Sequence, residues 1–187
     1  MAHPQGSPPQ LLDAEGVTRT VVRLAHEIRE RHPGLEHVVL AGVLTRGVPL
    51  AQRVADALEG MGEVRPPLLR LDLRDYRDDR PRPATPRPGA VSALDDHAPR
   101  VAVDGSAVVV VDDVFYTGRT LRAALDALAD CGRPASVELL VLVDRGGREV
   151  PLRATYVGKN VPTSSGERVA VRLREVDGVD GAWLVEL

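Results

Sequence analysis

Apolar residues recur near the start of the chain at Val17, Val21, Leu24, Ala25 and Ile28, the spacing of a helix that buries one face. Asp13 stands where an N-cap belongs and Pro33-Gly34 close the run, so the pattern predicts a helix of about 18 residues. Its other face carries Arg19, Arg23, His26 and Arg29, which reads as a solvated surface. The period then changes. HVVLAGV (37–43) is a continuous apolar run of strand length, and an amphipathic helix follows over 48–60, ending at Gly60. LLRLDL (68–73) is strand-like, SAVVVVD (106–112) is the strongest strand, and TLRAALDALADCG (120–132) is a helix that stops at Gly132. Further strands are expected at 137–144, 154–158, 168–176 and 182–187. Long apolar strands alternating with helices predict an α/β domain built on a central, mostly parallel sheet flanked by helices.

Two stretches break the pattern. Residues 1–10 hold three prolines and no apolar period, so they read as a flexible tail before a single domain over 11–187. Residues 80–91, RPRPATPRPGAV, carry four prolines within eight positions and cannot form a regular element. A loop of some 25 residues at this place is either a functional lid or a disordered insert.

Composition narrows the class. With 43% hydrophobic and 27% charged residues, the 187-residue chain is globular and large enough to bury a core without staples. Its longest apolar runs fall far short of the ~20 residues of a membrane span. No secretory leader opens it, so a cytoplasmic protein with no membrane partner is expected. Cys131 is alone, which excludes an internal disulfide and a multi-cysteine zinc site. The net charge of −3 excludes a whole-molecule basic field for nucleic acid. Of 24 basic residues only Lys159 is lysine, a bias that fits GC-rich coding and also fits guanidinium forks for phosphate.

The chemistry concentrates at Val108-Val-Val-Val-Asp-Asp-Val-Phe-Tyr-Thr-Gly-Arg-Thr-Leu121. A hydrophobic strand delivers Asp112 and Asp113 to its C-terminal edge, where open α/β sheets bind ligands. Thr117-Gly118-Arg119-Thr120 follows, with a helix starting at once. Gly118 lets the backbone approach a ligand, and the exposed amides with the helix dipole form an anion site. A sugar phosphate fits this pattern, its vicinal hydroxyls on the carboxylates and its 5′-phosphate on the loop. Neither a Walker loop nor a G-x-G-x-x-G occurs.

This stretch resembles the phosphoribosyl diphosphate motif of the type I phosphoribosyltransferases. Ala25-His-Glu27, Thr45-Arg-Gly47, Tyr76-Arg-Asp-Asp79, Gly132-Arg-Pro134, Val143-Asp-Arg-Gly146, Arg148-Glu149 and Gly158-Lys-Asn-Val-Pro-Thr-Ser164 narrow the match. From about residue 12 to 180 the chain is similar to the bifunctional pyrimidine operon regulator and uracil phosphoribosyltransferase family. The resemblance implies the type I fold with a flexible flap at about 77–104, and two activities. One makes UMP and diphosphate from uracil and phosphoribosyl diphosphate; the other binds the leader of pyrimidine operon messenger RNA in response to uridine nucleotides.

By the same resemblance, Asp112 and Asp113 take the ribose, and Tyr116, Thr117, Gly118, Arg119 and Thr120 take the 5′-phosphate side. Thr45, Arg46 and Gly47 take diphosphate, Arg77 closes over it from the flap, and the base sits against Lys159 and Val161. Asp112, Asp113, Arg46 and Arg77 are the residues expected to carry catalysis, with Mg²⁺ brought in chelated by the substrate. RNA contacts are implied for Arg23, His26, Arg148, Arg153 and Lys159, on a surface built by a homodimer or higher oligomer. Two positions depart from the family pattern: Gly147, where it usually has histidine, and Val22, where it often has threonine. Purine enzymes of the fold usually carry an aspartate just before Thr-Gly, and a Tyr116 phenol of pKa about 10 is a poor base near neutrality. That favours uracil over hypoxanthine or guanine. The rivals are a purine salvage enzyme of the same fold and a nucleotide sensor without useful catalysis.

Overall fold

The computed structural model describes residues 8–78, 89–94 and 103–187. Its elements in chain order are β1 (Gln10–Leu12), α1 (Ala14–Arg31), β2 (Val38–Val43), α2 (Gly47–Gly60), β3 (Leu68–Leu71), β4 (Val91–Ala93), β5 (Ala107–Phe115), α3 (Arg119–Cys131), β6 (Ser136–Asp144), β7 (Tyr156–Asn160), β8 (Glu167–Arg172), α4 (Arg174–Asp177) and β9 (Gly181–Glu186). Six strands form the main sheet in the order β4-β3-β2-β5-β6-β7. All its pairings are parallel except β3 with β4. A second, antiparallel sheet of order β1-β9-β8 packs beside it.

The strand β5 shows why the main sheet is covered on both faces. Its side chains alternate, so Val109 and Val111 join one core with α1 and α2, while Val108 and Val110 join another with α3. Helix α1 forms as its period predicts: Asp13 Oδ1 accepts from the Gly16 amide at 2.7 Å, and Val17, Leu24, Ala25 and Ile28 are fully buried. Burying a side chain such as Leu24 or Ile28 contributes about 1.5–3 kcal/mol, so truncation to alanine here threatens the fold rather than the site.

Several boundaries differ from the sequence expectation. β5 runs on to Phe115 instead of stopping at Asp112, because β6 stays paired with it through Asp144. The strand expected over 168–176 ends at Arg172, where Asp177 folds back to accept from the Leu173 amide at 2.8 Å and closes the turn α4. β7 lies two residues later than expected. The tail expected over 1–10 is one residue too long, since Gln10 pairs with Trp183; residues 1–7 lie outside the described residues. Most of the flap expected at about 77–104 also lies outside them. Within it, Val91–Ala93 pair with β3 as an edge strand and Val103 is buried in the α3-side core. Among the described residues, no helix is long and apolar enough to cross a membrane.

Candidate active site

β2 pairs with β5 only as far as Gly42 and Val111, whereas β5 continues beside β6 to Phe115. The chain also reverses direction here: β3 and β4 lie beyond β2, and β6 and β7 lie beyond β5. An open sheet leaves its ligand crevice at such a switch point, at the carboxyl ends of the strands. A cleft of about 770 Å³ occupies it, and it brings together Thr45, Arg77, Asp112, Asp113, Thr117, Arg119 and Thr120.

The two carboxylates sit on the floor of the cleft, each partly tied to the main chain. Asp112 Oδ1 accepts from the Asp113 amide and Asp113 Oδ1 from the Val114 amide, both at 2.9 Å. Burial, and after it the charge of Asp113, pushes the Asp112 carboxyl well above its ordinary 3.8. Burial also raises Asp113, against hydrogen bonds with Asp112 and the Val114 amide and the nearby charge of Arg46. Two carboxylates held this way hold a proton more firmly than free ones, and hydroxyl donors from a ribose would replace it. Among the described residues, no three His, Cys, Asp or Glu side chains come together to hold a metal.

The anion loop has the geometry its sequence calls for. Gly118 is the N-cap of α3 at φ +90°, and no side chain caps the helix. The first-turn amides are therefore available to a phosphate, apart from a long 3.4 Å contact of the Arg119 amide with Thr117 Oγ1. A side chain at 118 would be doubly excluded, since its Cβ would stand 2.4 Å from Val150 Cγ2. The Arg119 guanidinium does not point freely at this site. It reaches Glu149 Oε2 at 2.6 Å and Asp78 Oδ2 at 2.5 Å, and Arg122 shares Asp78 at 2.9 Å.

Other expected residues stand farther out. Arg46 does not line the cleft; it forms an ion pair with Asp177 at 2.7 Å. Gly47 opens α2 so close to β5 that a Cβ would stand 2.2 Å from the Val111 carbonyl oxygen. Tyr116 and Gly118 lie beside the cleft on the β6 side, and Lys159 and Val161 at the end of β7. Lys159 Nζ donates to the Leu11 carbonyl at 2.8 Å, and the Val161 amide to the Asp144 carbonyl at 2.8 Å, so Val161 has its carbonyl to offer a base but not its N–H.

The residues implied for RNA come from α1 (Arg23, His26), from the segment between β6 and β7 (Arg148, Arg153) and from β7 (Lys159). Arg23 NH2 donates to the carbonyls of Val157 (3.1 Å) and Gly158 (2.6 Å), which ties α1 to β7, the strand that carries Lys159. Arg153 is exposed in the segment before β7, where Leu152 and Ala154 join the α3-side core. Arg148 is committed within the chain: NH1 donates to the Tyr116 carbonyl at 2.7 Å, NH2 pairs with Asp144, and the guanidinium lies 3.6 Å over the Phe115 ring.

Sequence reasoning missed Asp72, Arg74 and Asp78 on the cleft wall, and Glu149 and Asp177 behind it. Asp72 had a signal, being the acidic residue just past strand LLRL, the rule that found Asp112. Asp177 had none, because its partner Arg46 lies 131 residues away in sequence.

The phosphoribosyl transferase domain model matches residues 9–172, so the chain is a phosphoribosyltransferase. The "Bifunctional protein PyrR" of Chloroflexus aurantiacus is 53% identical over 94% of this chain and 93% of its own length. That of Streptomyces coelicolor is 52% identical over 93% of this chain and 88% of its own length. The chain belongs to the bifunctional PyrR family. Solved structures similar to this PyrR-family chain include the hypoxanthine phosphoribosyltransferase of Trypanosoma cruzi in complex with IMP, at TM-score 0.67 and 21% identity, covering 100% of this chain and 98% of that one. A hypoxanthine-guanine phosphoribosyltransferase from Bacillus anthracis matches at TM-score 0.64 and 22% identity, over 96% and 98%. At that identity they show the fold alone, and the PyrR relatives carry the family.

Proposed function

We propose that this PyrR-family chain transfers the phosphoribosyl group of phosphoribosyl diphosphate to uracil, giving UMP and diphosphate, and binds pyrimidine operon leader RNA when loaded with UMP. The observation that carries the enzymatic half is one cleft holding the Asp112–Asp113 pair and the uncapped start of α3 at the switch point. In this reading the ribose hydroxyls donate to the two carboxylates, and Thr117, Thr120 and the amides of the loop hold the 5′-phosphate. Breaking of the C1–O bond leads, positive charge builds on the ribose ring, and uracil N1 then attacks C1 while its proton passes to the departing diphosphate or to solvent. The side chains have little covalent work; their task is to position the partners and stabilise the departing diphosphate. Thr45 lines the cleft for that group, and Arg77 lies on the same wall. Two carboxylates are too few ligands for a resident ion, which suits Mg²⁺ arriving on the diphosphate, where it supplies charge neutralisation.

The base half of the reading rests on Tyr116, which offers no carboxylate to a purine ring. Relatives at 53% and 48% identity that carry the bifunctional name support the regulatory half. The test is diphosphate release by purified protein with Mg²⁺, phosphoribosyl diphosphate and each base in turn. Uracil should be the accepted base, and faster turnover with hypoxanthine or guanine refutes the assignment. Gel shifts on the organism's own pyrimidine leader, with and without UMP, test the RNA half. No preference over an unrelated hairpin removes it.

A further inference from the structure

Arg145 is a charged side chain only 7% exposed, and its hydrogen bonds go to neutral acceptors. Nε donates to Thr163 Oγ1 at 2.8 Å and NH2 to the Glu167 carbonyl at 2.6 Å. Its guanidinium carbon stands 3.9 Å from the centre of the Tyr116 ring. The main chain repeats the link: the Arg145 amide donates to the Phe115 carbonyl at 3.0 Å, and its carbonyl accepts from the Thr163 amide at 3.3 Å. One residue thereby joins the end of β5, the loop after β7 and the start of β8.

Gly147 completes the arrangement from another side. It adopts φ +70°, and a Cβ there would stand 2.4 Å from Tyr116 Cε2 and 3.0 Å from Cδ2. The ring thus occupies the space that any side chain at 147 would need. Pairing of Phe115 with Asp144, and of Asp144 with Asn160, puts Tyr116, Arg145 and Val161 one step beyond the sheet edge. In the uracil-transfer reading the base sits against Lys159 and Val161, on this same side. Tyr116 itself is 41% exposed, so without a clamp its ring is free to change rotamer.

We propose that Arg145 and Gly147 are positioning residues that fix the Tyr116 ring as a wall of the pyrimidine subsite, so that base recognition depends on them and phosphoribosyl recognition does not. This rests on the uracil-transfer reading above.

Arg145→Lys keeps the charge but loses the planar face and the fork. It should raise the KM for uracil about tenfold while the KM for phosphoribosyl diphosphate holds. Gly147→Ala, checked for folding by its melt because the backbone there has φ +70°, should show the same split. In a double-mutant cycle with Tyr116→Leu, the effect of Arg145→Lys should largely vanish, because it acts through the ring. Both KM values rising together, neither rising, or additive effects in the cycle would overturn the proposal. Calorimetry separates this from the parent reading, by comparing UMP with ribose 5-phosphate. Wild type should bind UMP more tightly, and both variants should lose that margin while keeping ribose 5-phosphate affinity. If wild type shows the margin yet turns over no uracil, only the catalytic reading fails. A margin retained in both variants sinks the positioning role, and a wild type with no margin refutes both.

Discussion

Arg46 and Asp177, 131 residues apart in sequence, meet as a two-pronged ion pair, Nε to Oδ2 at 3.0 Å and NH2 to Oδ1 at 2.7 Å. Asp177 Oδ2 also accepts from the Leu173 amide at 2.8 Å, so the segment that leaves β2 beside Thr45 is moored to the turn after β8. The guanidinium fastens the start of α2, beside Thr45, to that turn.

Asp177→Asn should therefore loosen the Thr45 side of the cleft alone. The expected result is a KM for phosphoribosyl diphosphate raised several-fold with the uracil KM unmoved, and a Tm lower by about 2–4 °C. The bond to Arg46 holds the Asp177 carboxyl below its ordinary 3.8. Its stabilisation is thus fully present above that value and lost as pH falls through the lower folded value. Steady-state kinetics and thermal melts check both statements, and equal shifts in the two KM values count against the mooring.

Asp112 and Asp113 carry the opposite sign. Burial raises both above 3.8, so the folded chain binds more protons than the unfolded one in the range just above it. Stability contributed by this pair falls as pH rises through that range. Hydroxyl donors favour the ionised pair, so UMP binding should expel protons and tighten with rising pH. Calorimetry in two buffers of different ionisation heat reads the release directly. Asp112→Asn with Asp113→Asn should weaken UMP at least about tenfold and abolish the proton release.

Asp78 places negative charge on Arg119 and Arg122 at the start of α3, where the proposed function puts the 5′-phosphate. Asp78→Asn should tighten ribose 5-phosphate binding by about two- to fivefold at low salt. The gain should shrink above about 0.3 M salt, because the pair is solvent-exposed. Weaker binding in the variant would mean that Asp78 orients Arg119 for the ligand instead of competing with it.

Arg148 and Arg153 should separate in a paired measurement. Arg148 is held by Asp144, the Tyr116 carbonyl and the Phe115 ring, so Arg148→Gln should cost about 1–3 kcal/mol of stability. Arg153 is exposed, and Arg153→Gln should leave the melt unchanged. If Arg153 meets a phosphate, the same change lowers the salt slope of RNA binding by about one. Thermal melts beside salt-titrated gel shifts give both numbers.

How much of this was legible in the sequence follows from the range of the interactions. Val17 to Ile28 announce α1 because a helix face is written within four residues, and the four valines before Asp112 announce β5 the same way. The acidic pair and Thr117-Gly118 are equally local. The strands β1 and β4 were not legible: each is three residues long and lies beside prolines, and only its partner makes it a strand. β8 overran because Leu173 and Val176 look like further strand positions, whereas Asp177 turns the chain there. The counter-ions of Arg46 and Arg119 were hidden for the reason that β1 was, since each pairing spans tens of residues of sequence.

Arg46, Arg74 and Arg119 each meet the solvent with a carboxylate already attached, from Asp177, Asp72, and Asp78 with Glu149. These three arginines advertise little positive field to anything approaching from a distance, although the amides at the start of α3 remain suited to phosphate. A small monoester can slip between the pairs and reach those amides. A polymer, whose attraction depends on many unneutralised cations in a row, gains nothing by lying across the opening. What the cleft offers an approaching phosphate is thus set by the backbone donors at the start of α3 rather than by the charge of its arginines.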